Sequence, residues 1–120
     1  MIIAAIRIFA DSGNINEIIE VLSSVKGPTE GKSGCISCFI YKEVNNENRI
    51  TYEERWENQE QLNNHICSDF YRKILAVIDM SSQPPAVKFS TVSSTAGMEL
   101  IKTAFGYCDK STDFLNSTSG

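Results

Sequence analysis

The sequence predicts an α+β protein with a ferredoxin-like β-α-β-β-α-β order, in which a four-stranded antiparallel sheet carries two helices on one face. Three observations support this prediction. Hydrophobic residues alternate in four short segments, they recur with helical spacing in two others, and a polar turn joins two of the strand-like segments. The 120 residues are enough for one two-layer core. We therefore expect one domain over residues 1–108, followed by a polar tail over residues 109–120.

The first strand is predicted over residues 2–9, where both faces are largely apolar and Arg7 is the one charged residue. An apolar pattern on both faces is typical of a strand that is covered on two sides. Arg7 then has two interpretations. It is either an arginine near the strand end whose head group reaches water, or a cation that faces a ligand pocket.

The first helix is predicted to begin at a capping box, because Asn14 is followed three residues later by Glu17. Its hydrophobic residues keep helical spacing as far as Val25. The dipeptide Gly27-Pro28 follows, and proline disfavours helical geometry in the residue before it. We therefore expect this helix to end near residue 26.

A β-hairpin is predicted next, with strands over residues 35–44 and 49–57 and a polar turn over residues 45–48. Cys35 and Cys38 have the spacing of a redox or zinc pair. Alternation along a strand would place the two side chains on opposite faces, which argues against both uses. Nothing else in the sequence suggests secretion, so we expect the four cysteines to be free thiols.

A second helical region follows directly after the hairpin, because hydrophobic residues now recur every four positions. They are Leu62, Ile66, Phe70, Ile74 and Ile78. A jog is predicted around Ser68 and Asp69, and two prolines at positions 84 and 85 end the region. The fourth strand is expected over residues 86–92, and residues 96–105 are expected to form a short helix or a further strand.

Composition excludes several classes of function. Eleven basic and fifteen acidic residues give a formal charge of −4, which argues against binding to the phosphate backbone of nucleic acid. The longest apolar run, residues 1–6, is too short to cross a bilayer and lacks the basic start of a signal peptide. We therefore expect no membrane association and a cytoplasmic location.

A homodimer is predicted from the sheet itself. Helices on one face leave the other face exposed, and here that face would carry several aromatic and aliphatic residues. We expect two sheets to pack face to face, with the segment after Val92 reaching the partner.

The candidate functional residues lie where the third strand meets the second helical region. Trp56 and His65 are the single tryptophan and the single histidine, and Tyr52 and Glu54 share a strand face with Trp56. Trp56 is either core or a pocket wall for a planar ligand. Glu54 is either a hydrogen-bonded carboxylate at the strand end or a partly buried acid in which desolvation favours the protonated form. His65 is either a packing residue or a proton acceptor or donor at a pocket mouth.

Other reaction centres find no support in the sequence. A single histidine and scattered cysteines are too few to suggest zinc, so we predict no metal. The sequence also lacks a glycine-rich phosphate loop and a serine or cysteine nucleophile motif. Ordinary hydrolysis is therefore not expected.

Three short motifs resemble the antibiotic biosynthesis monooxygenase family. They are Ser33-Gly34-Cys35 before the second strand, Glu54-x-Trp56 at the end of the third, and His65 with Ser68 on the following helix. The resemblance extends from about Ile2 to Val92 and implies a dimeric α+β barrel. It also implies an enzyme that oxidises a small phenol or quinol with molecular oxygen, without metal, flavin or haem. In such chemistry an electron-rich phenolate reduces oxygen itself, while the protein deprotonates, orients and desolvates it.

The resemblance implies roles for individual residues. Trp56 would form one wall of the pocket, and His65 would act from the opposite wall as a base or an orienting donor. Glu54 would contribute a polar group to substrate binding. Tyr52 and Arg7 are added as substrate-binding candidates from their strand faces and not from the family motif.

Two alternatives stay open from the same residues. One is a non-catalytic dimeric protein that binds a small aromatic ligand or acts in stress response. The other is the related haem-degrading branch, since residues 63–65 and 68–70 mimic its second helix. His65 stands where that branch has a tryptophan, Leu75 stands where its iron-ligating histidine is expected, and the first strand has no asparagine. Haem breakdown is therefore the weaker alternative.

Overall fold

The structure, a computed structural model, describes the backbone of residues 1–119 and the side chains of residues 1–108. The elements in chain order are β1 (Ile2–Phe9), α1 (Ile15–Glu30), β2 (Cys35–Glu43), β3 (Asn46–Trp56), α2 (Gln59–Ile66), a 3₁₀ turn (Asp69–Tyr71), α3 (Arg72–Asp79), β4 (Ala86–Thr91) and α4 (Met98–Ser119). The predicted ferredoxin-like order is confirmed, with α2 and α3 together forming the second helical region.

The four strands form one antiparallel sheet in the order β2-β3-β1-β4. Ala4 of β1 pairs with Glu54 of β3, and Glu54 pairs in turn with Cys38 of β2, so these three side chains share one face. This face is covered by α1, α2 and α3 and contains the buried core. The principal core side chains are Ile6, Ile8, Ile18, Leu22, Val25, Ile50, Tyr52, Leu62, Ile74 and Val77.

The first helix continues past the predicted end and includes Pro28. Gly27 has no Cβ, so it escapes most of the clash that disfavours helical geometry before proline. Val25 and Thr29 are both buried on this helix, and their burial anchors the extra turn to the sheet. The prediction that the helix ends near residue 26 was therefore wrong, because packing outweighed the local proline signal.

The second strand contains a bulge that changes which residues share a face. Cys35 pairs with Trp56 and Cys38 pairs with Glu54, and the register shifts between Cys35 and Ser37. Trp56 and Glu54 lie on the same face, so Cys35 and Cys38 do as well. The prediction that the two cysteines point to opposite faces was wrong, because the bulge adds one residue to the strand.

The second helical region has the predicted jog, since the 3₁₀ turn begins at Asp69. Its buried face, however, differs from the predicted stripe by one position in α2. His65 is 2% exposed, whereas its neighbour Ile66 is 36% exposed. The single histidine thus lies inside the protein, under the sheet, and not at the border of the helix.

The face of the sheet opposite the helices is open in the single chain. Phe39 and Tyr41 lie on it and are each about half exposed. The side chains of α4 from Met98 to residue 108 are exposed as well. The predicted division at residue 108 stays a prediction, since the side chains of residues 109–120 lie outside the described part.

Within the described residues, no helix is both long enough and apolar enough to cross a membrane.

Candidate functional site

Glu54 is the centre of a buried polar cluster on the helix-covered face of β3. Its carboxylate is 2% exposed and has three neighbours at hydrogen-bond distance. The Tyr52 hydroxyl donates to Oε2 at 2.6 Å, and the Trp56 indole Nε1 donates to Oε1 at 3.0 Å. Nε2 of His65, which comes from α2, lies 2.8 Å from Oε2. A buried carboxylate is thus satisfied by groups from two different elements.

This arrangement determines which nitrogen of His65 carries a proton. A carboxylate only accepts hydrogen bonds, so the contact between Nε2 and Glu54 requires a proton on Nε2. In the neutral ring, Nδ1 is then an acceptor. Nδ1 is buried and has no hydrogen-bond partner among the described residues. Such an unpaired buried group costs about 1–3 kcal/mol, so the described residues leave one acceptor of this cluster unsatisfied.

Two aromatic rings hold the His65 imidazole in place. The Trp56 ring lies against it with centroids 4.8 Å apart and an interplanar angle of 31°. The Tyr71 ring meets it edge-on at 5.1 Å and 83°. With Glu54 bonded to Nε2, the ring is restrained from three directions.

Two tyrosines and one thiol near Glu54 stay protonated at neutral pH. Burial, with the negative charge of Glu54 as a second cause, raises the pKa of Tyr52 far above its usual range. The same two causes raise the pKa of Tyr71 to about 12. Burial raises the pKa of the Cys38 thiol to about 11. These side chains are therefore hydrogen-bond donors or packing groups and not bases.

A cavity of about 270 Å³ opens beside this cluster. Its lining residues are Lys32, Ser33, Trp56, Gln61, Asn64 and His65. Trp56 and His65 are buried, whereas Ser33 and Asn64 are exposed, so the first pair forms the inner end and the second pair the mouth. An engineered protein cavity of about 150 Å³ holds benzene, so this one is large enough for a single aromatic ring.

The outer wall of the cavity is a short loop that is held against α2 by Gly34. This residue has a φ of +85°, which favours glycine, and an added Cβ would lie 2.4 Å from Cγ of Gln61. The Gly34 carbonyl accepts a hydrogen bond from the Glu57 amide at 2.8 Å, and the Lys32 carbonyl accepts one from the Cys35 amide at 3.1 Å. The absence of a side chain at Gly34 thus lets the loop and α2 approach closely.

Four of the five predicted site residues come together. Tyr52, Glu54, Trp56 and His65 form one hydrogen-bonded cluster, although Trp56 and His65 lie side by side and not on opposite walls. Arg7 is not part of it. Because Ile6 and Ile8 face the helices, Arg7 lies on the open face of the sheet, where it lines a different cavity.

Sequence reasoning missed several residues that line the cavity or contact His65. Gln61 lies one helical turn before His65, and this i, i+4 spacing was a signal that the two share a face. Lys32 directly precedes the Ser33-Gly34-Cys35 motif, but nothing in its own context distinguishes it from a surface lysine. Tyr71 was missed because it lies in the 3₁₀ turn, which interrupts the helical spacing on which the sequence prediction relied.

The fold is that of a small α+β protein, and its site places a buried imidazole, bonded to a buried carboxylate, at the inner end of a cavity. The antibiotic biosynthesis monooxygenase family model matches residues 1–77, and the chain belongs to this family. Family membership supports a monooxygenase as the class of function, and members are generally dimeric. A search of curated proteins finds no significant match.

Solved structures share the fold at low sequence identity. One is a Deinococcus radiodurans protein described provisionally as an antibiotic biosynthesis monooxygenase. Its sequence is 13% identical to this chain, and the two structures superpose with a TM-score of 0.73 over 81% of this chain and 97% of the other. A Mycobacterium tuberculosis protein is 20% identical with a TM-score of 0.72, covering 80% and 98%. A conserved protein from Methanosarcina mazei is 21% identical with a TM-score of 0.69, covering 74% and 89%. These similarities extend over most of each chain and show a common fold.

Proposed function

We propose that the chain is a monooxygenase that oxidises a small phenol or quinol with molecular oxygen and no cofactor. One observation carries this proposal. The imidazole of His65 lines the cavity, its Nε2 is held by Glu54, and its Nδ1 is left as an unpaired acceptor among the described residues. A carboxylate that fixes a histidine in this way prepares the other nitrogen to accept a proton.

The reaction then begins with transfer of the phenolic proton to Nδ1 of His65. The phenolate gives one electron to O₂, and the resulting phenoxyl radical and superoxide combine in a new carbon–oxygen bond at a ring carbon that bears hydrogen. His65 returns its proton to the outer oxygen of this peroxide. The oxygen–oxygen bond breaks as the ring hydrogen leaves, which releases water and forms the quinone. One oxygen atom thus enters the product and the other leaves as water, so O₂ takes up all the electrons that the ring loses.

The remaining site residues orient the ligand and exclude water. Trp56 offers an aromatic surface at the buried end of the cavity, where a phenol ring would be desolvated. Tyr52 acts through Glu54, since its hydroxyl donates a hydrogen bond to Oε2 of that carboxylate. In this proposal Glu54 and Tyr52 are positioning residues, and Arg7 has no place at the reacting atoms.

The proposal includes a homodimer that forms through the open face of the sheet. Half-exposed Phe39 and Tyr41 on that face and the exposed apolar side chains of Met98, Ile101 and Phe105 on α4 support it. Packing of two such sheets would complete an α+β barrel and leave the cavity of each protomer on its own helix-covered side.

Oxygen uptake tests the proposed reaction. The wild type, His65→Gln and Trp56→Ala are compared across a panel of quinols and polyphenols in an oxygen electrode. Glutamine can still donate to Glu54 but offers no base at the position of Nδ1, so we expect His65→Gln to lose at least about 100-fold in rate. Ile66→Ala, which alters the exposed neighbour of His65 on the same helix, is the matched control and should retain the rate.

The outcomes separate the candidate functions. Oxygen uptake by the wild type that is strongly reduced in His65→Gln supports the monooxygenase. Oxygen uptake that is unchanged in both His65→Gln and Trp56→Ala contradicts the assignment of the site. Binding of aromatic ligands without oxygen uptake by the wild type would instead favour a non-catalytic binding protein. No observation favours haem degradation, since Leu75 is an aliphatic residue half exposed on α3 and the single histidine is bonded through Nε2 to Glu54. Haem titration checks this, and tight binding would contradict it.

A further inference from the structure

We propose that the ligand of this cavity is an aromatic hydroxy acid whose carboxylate is bound by Lys32. This inference rests on the proposed function only for the aromatic hydroxyl at His65. The carboxylate is inferred separately, from the position and the charge of Lys32.

Lys32 is held at the cavity by two contacts. Its Nζ donates to Oγ of Ser68 at 3.1 Å, and that hydroxyl donates to the carbonyl oxygen of His65 at 2.6 Å. Nζ also lies 5.2 Å from the centre of the Phe70 ring. The ammonium group is therefore connected through one serine to the helix turn that carries His65.

Lys32 differs from the other lysines with described side chains because the residue is partly buried and has no acidic partner within ion-pair distance. Of the lysines with described side chains, Lys26 and Lys32 are the two that are partly buried, and the others are exposed to water. Lys26 forms an ion pair with Glu30 at 2.7 Å. Within the part of the chain whose side chains are described, Lys32 has no carboxylate within ion-pair distance. An ammonium group at a cavity wall without a carboxylate partner favours an anionic ligand.

The rest of the cavity wall is compatible with an anion. Ser33, Gln61 and Asn64 are neutral and can donate hydrogen bonds, and none of the residues with described side chains that line the cavity is acidic. The nearby Glu54 is already bonded to three donors. Because the whole chain carries a net charge of −4, attraction of an anion to this place depends on the local ammonium.

An aromatic hydroxy acid offers a matching group for each of three cavity residues. Its ring would lie toward Trp56, its hydroxyl would reach the unpaired acceptor of His65, and its carboxylate would replace the missing counterion of Lys32. Plain phenols and quinols lack the third group, so they should bind more weakly.

A binding experiment tests this with matched ligands. Gentisate and protocatechuate are titrated against their primary amides, which keep the ring and hydroxyls but lose the charge. The fluorescence of Trp56, the single tryptophan, reports occupancy of the cavity. A charge-assisted hydrogen bond is worth about tenfold or more in affinity, so we expect each acid to bind the wild type at least about tenfold more tightly than its amide.

Variants identify the responsible group. Lys32→Gln should bring the acid-to-amide ratio close to one and leave amide affinity unchanged, while Lys32→Arg should retain most of the ratio. Lys26→Gln, which removes the other partly buried lysine, should not change it. Equal affinity for acid and amide in the wild type, no binding of either, or a ratio that survives Lys32→Gln would overturn the inference.

The binding experiment and the oxygen-uptake experiment test the two proposals independently. Acid-selective binding without oxygen uptake would leave Lys32 as the anion site and remove the proposed oxygenase. Oxygen uptake with plain quinols and no preference for the acid would keep the oxygenase and remove the role of Lys32.

Discussion

Glu54 holds three neighbours in fixed orientations because a carboxylate offers several lone pairs and no proton of its own. The alternation of β3 correctly predicted that Tyr52, Glu54 and Trp56 share a face. It did not predict that both aromatic side chains donate to the same carboxylate, because alternation gives the face of a side chain and not its rotamer. At the residue scale the sequence therefore located the members of the cluster, and the packing of α2 on the sheet supplied the contact with His65.

Glu54→Gln tests the importance of this carboxylate to stability. The amide nitrogen of glutamine would face at least one of the three donors, so a buried hydrogen bond is replaced by an unfavourable contact. We expect the free energy of unfolding to fall by about 1–3 kcal/mol, measured by chemical denaturation. The control is Glu53→Gln, which removes a partly exposed ion pair with Arg55 and should cost less than about 1 kcal/mol. Equal losses in the two variants would contradict the special role of Glu54.

The buried thiol of Cys38 makes stability depend on alkaline pH. Its pKa is raised from 9.0 to about 11 by burial, so between these values the unfolded chain loses this proton while the folded chain retains it. The contribution is fully present below about pH 9 and is lost as the pH rises to about 11, a decrease of about 2–3 kcal/mol in the free energy of unfolding.

Denaturation curves over this pH range check the expected decrease. Tyr52, whose pKa is also raised by burial, acts in the same direction, so the wild type is compared with Cys38→Ala. The variant should begin less stable because of its cavity and then lose about 2 kcal/mol less on the way to pH 11. Parallel curves for the two proteins would contradict the prediction.

Single elements show where local sequence signals were outweighed. The Gly27-Pro28 signal predicted the end of α1, but burial of Thr29 kept the helix intact for one more turn. The four-residue stripe predicted the second helical region, yet the 3₁₀ turn gives α2 and α3 separate phases. In α2 the buried residues are Leu62 and His65, whereas Ile66 is exposed. Periodicity thus predicts that a helix exists, whereas the face that it buries is chosen by tertiary packing.

Gly34→Ala tests the loop that forms the outer wall of the cavity. A Cβ at this residue would clash with Gln61 and would also require a positive φ that alanine disfavours. We expect a loss of about 1–3 kcal/mol in the free energy of unfolding together with weaker ligand binding. Gly31→Ala is the matched control in the same loop, because its φ is −79° and its Cβ would make only ordinary contacts. Similar losses for both variants would show that the close approach to Gln61 is unimportant.

At the scale of the whole molecule, the single chain exposes two apolar surfaces outside its core. The open sheet face carries Phe39 and Tyr41, and α4 exposes Met98, Ile101 and Phe105 along one side of a helix. The longest dimension, 61 Å, is large for a chain of this length. The sequence predicted the open face from topology alone. It left residues 96–105 as a short helix or a strand, whereas α4 begins at Met98 and continues to Ser119.

Tyr41→Glu tests the proposed dimer. A charge in the middle of a sheet-to-sheet interface would be desolvated, so we expect the variant to sediment as a monomer at concentrations at which the wild type is a dimer. Leu75→Glu is the control, because Leu75 is 49% exposed and Tyr41 is 47% exposed, but Leu75 lies on the helix-covered side. A monomeric wild type, or a monomeric Leu75→Glu together with a dimeric Tyr41→Glu, would contradict the proposed interface.

The central claim is that the cavity beside Glu54 and His65 inserts one atom of molecular oxygen into a phenolic ring. Its most direct test is the reaction of the wild type with a quinol or aromatic hydroxy acid under isotopically heavy oxygen, followed by mass spectrometry of the product. The account predicts one heavy oxygen atom in each quinone product and a greatly reduced yield with His65→Gln. A product without heavy oxygen, no product from the wild type across the panel, or an undiminished yield with His65→Gln would contradict it.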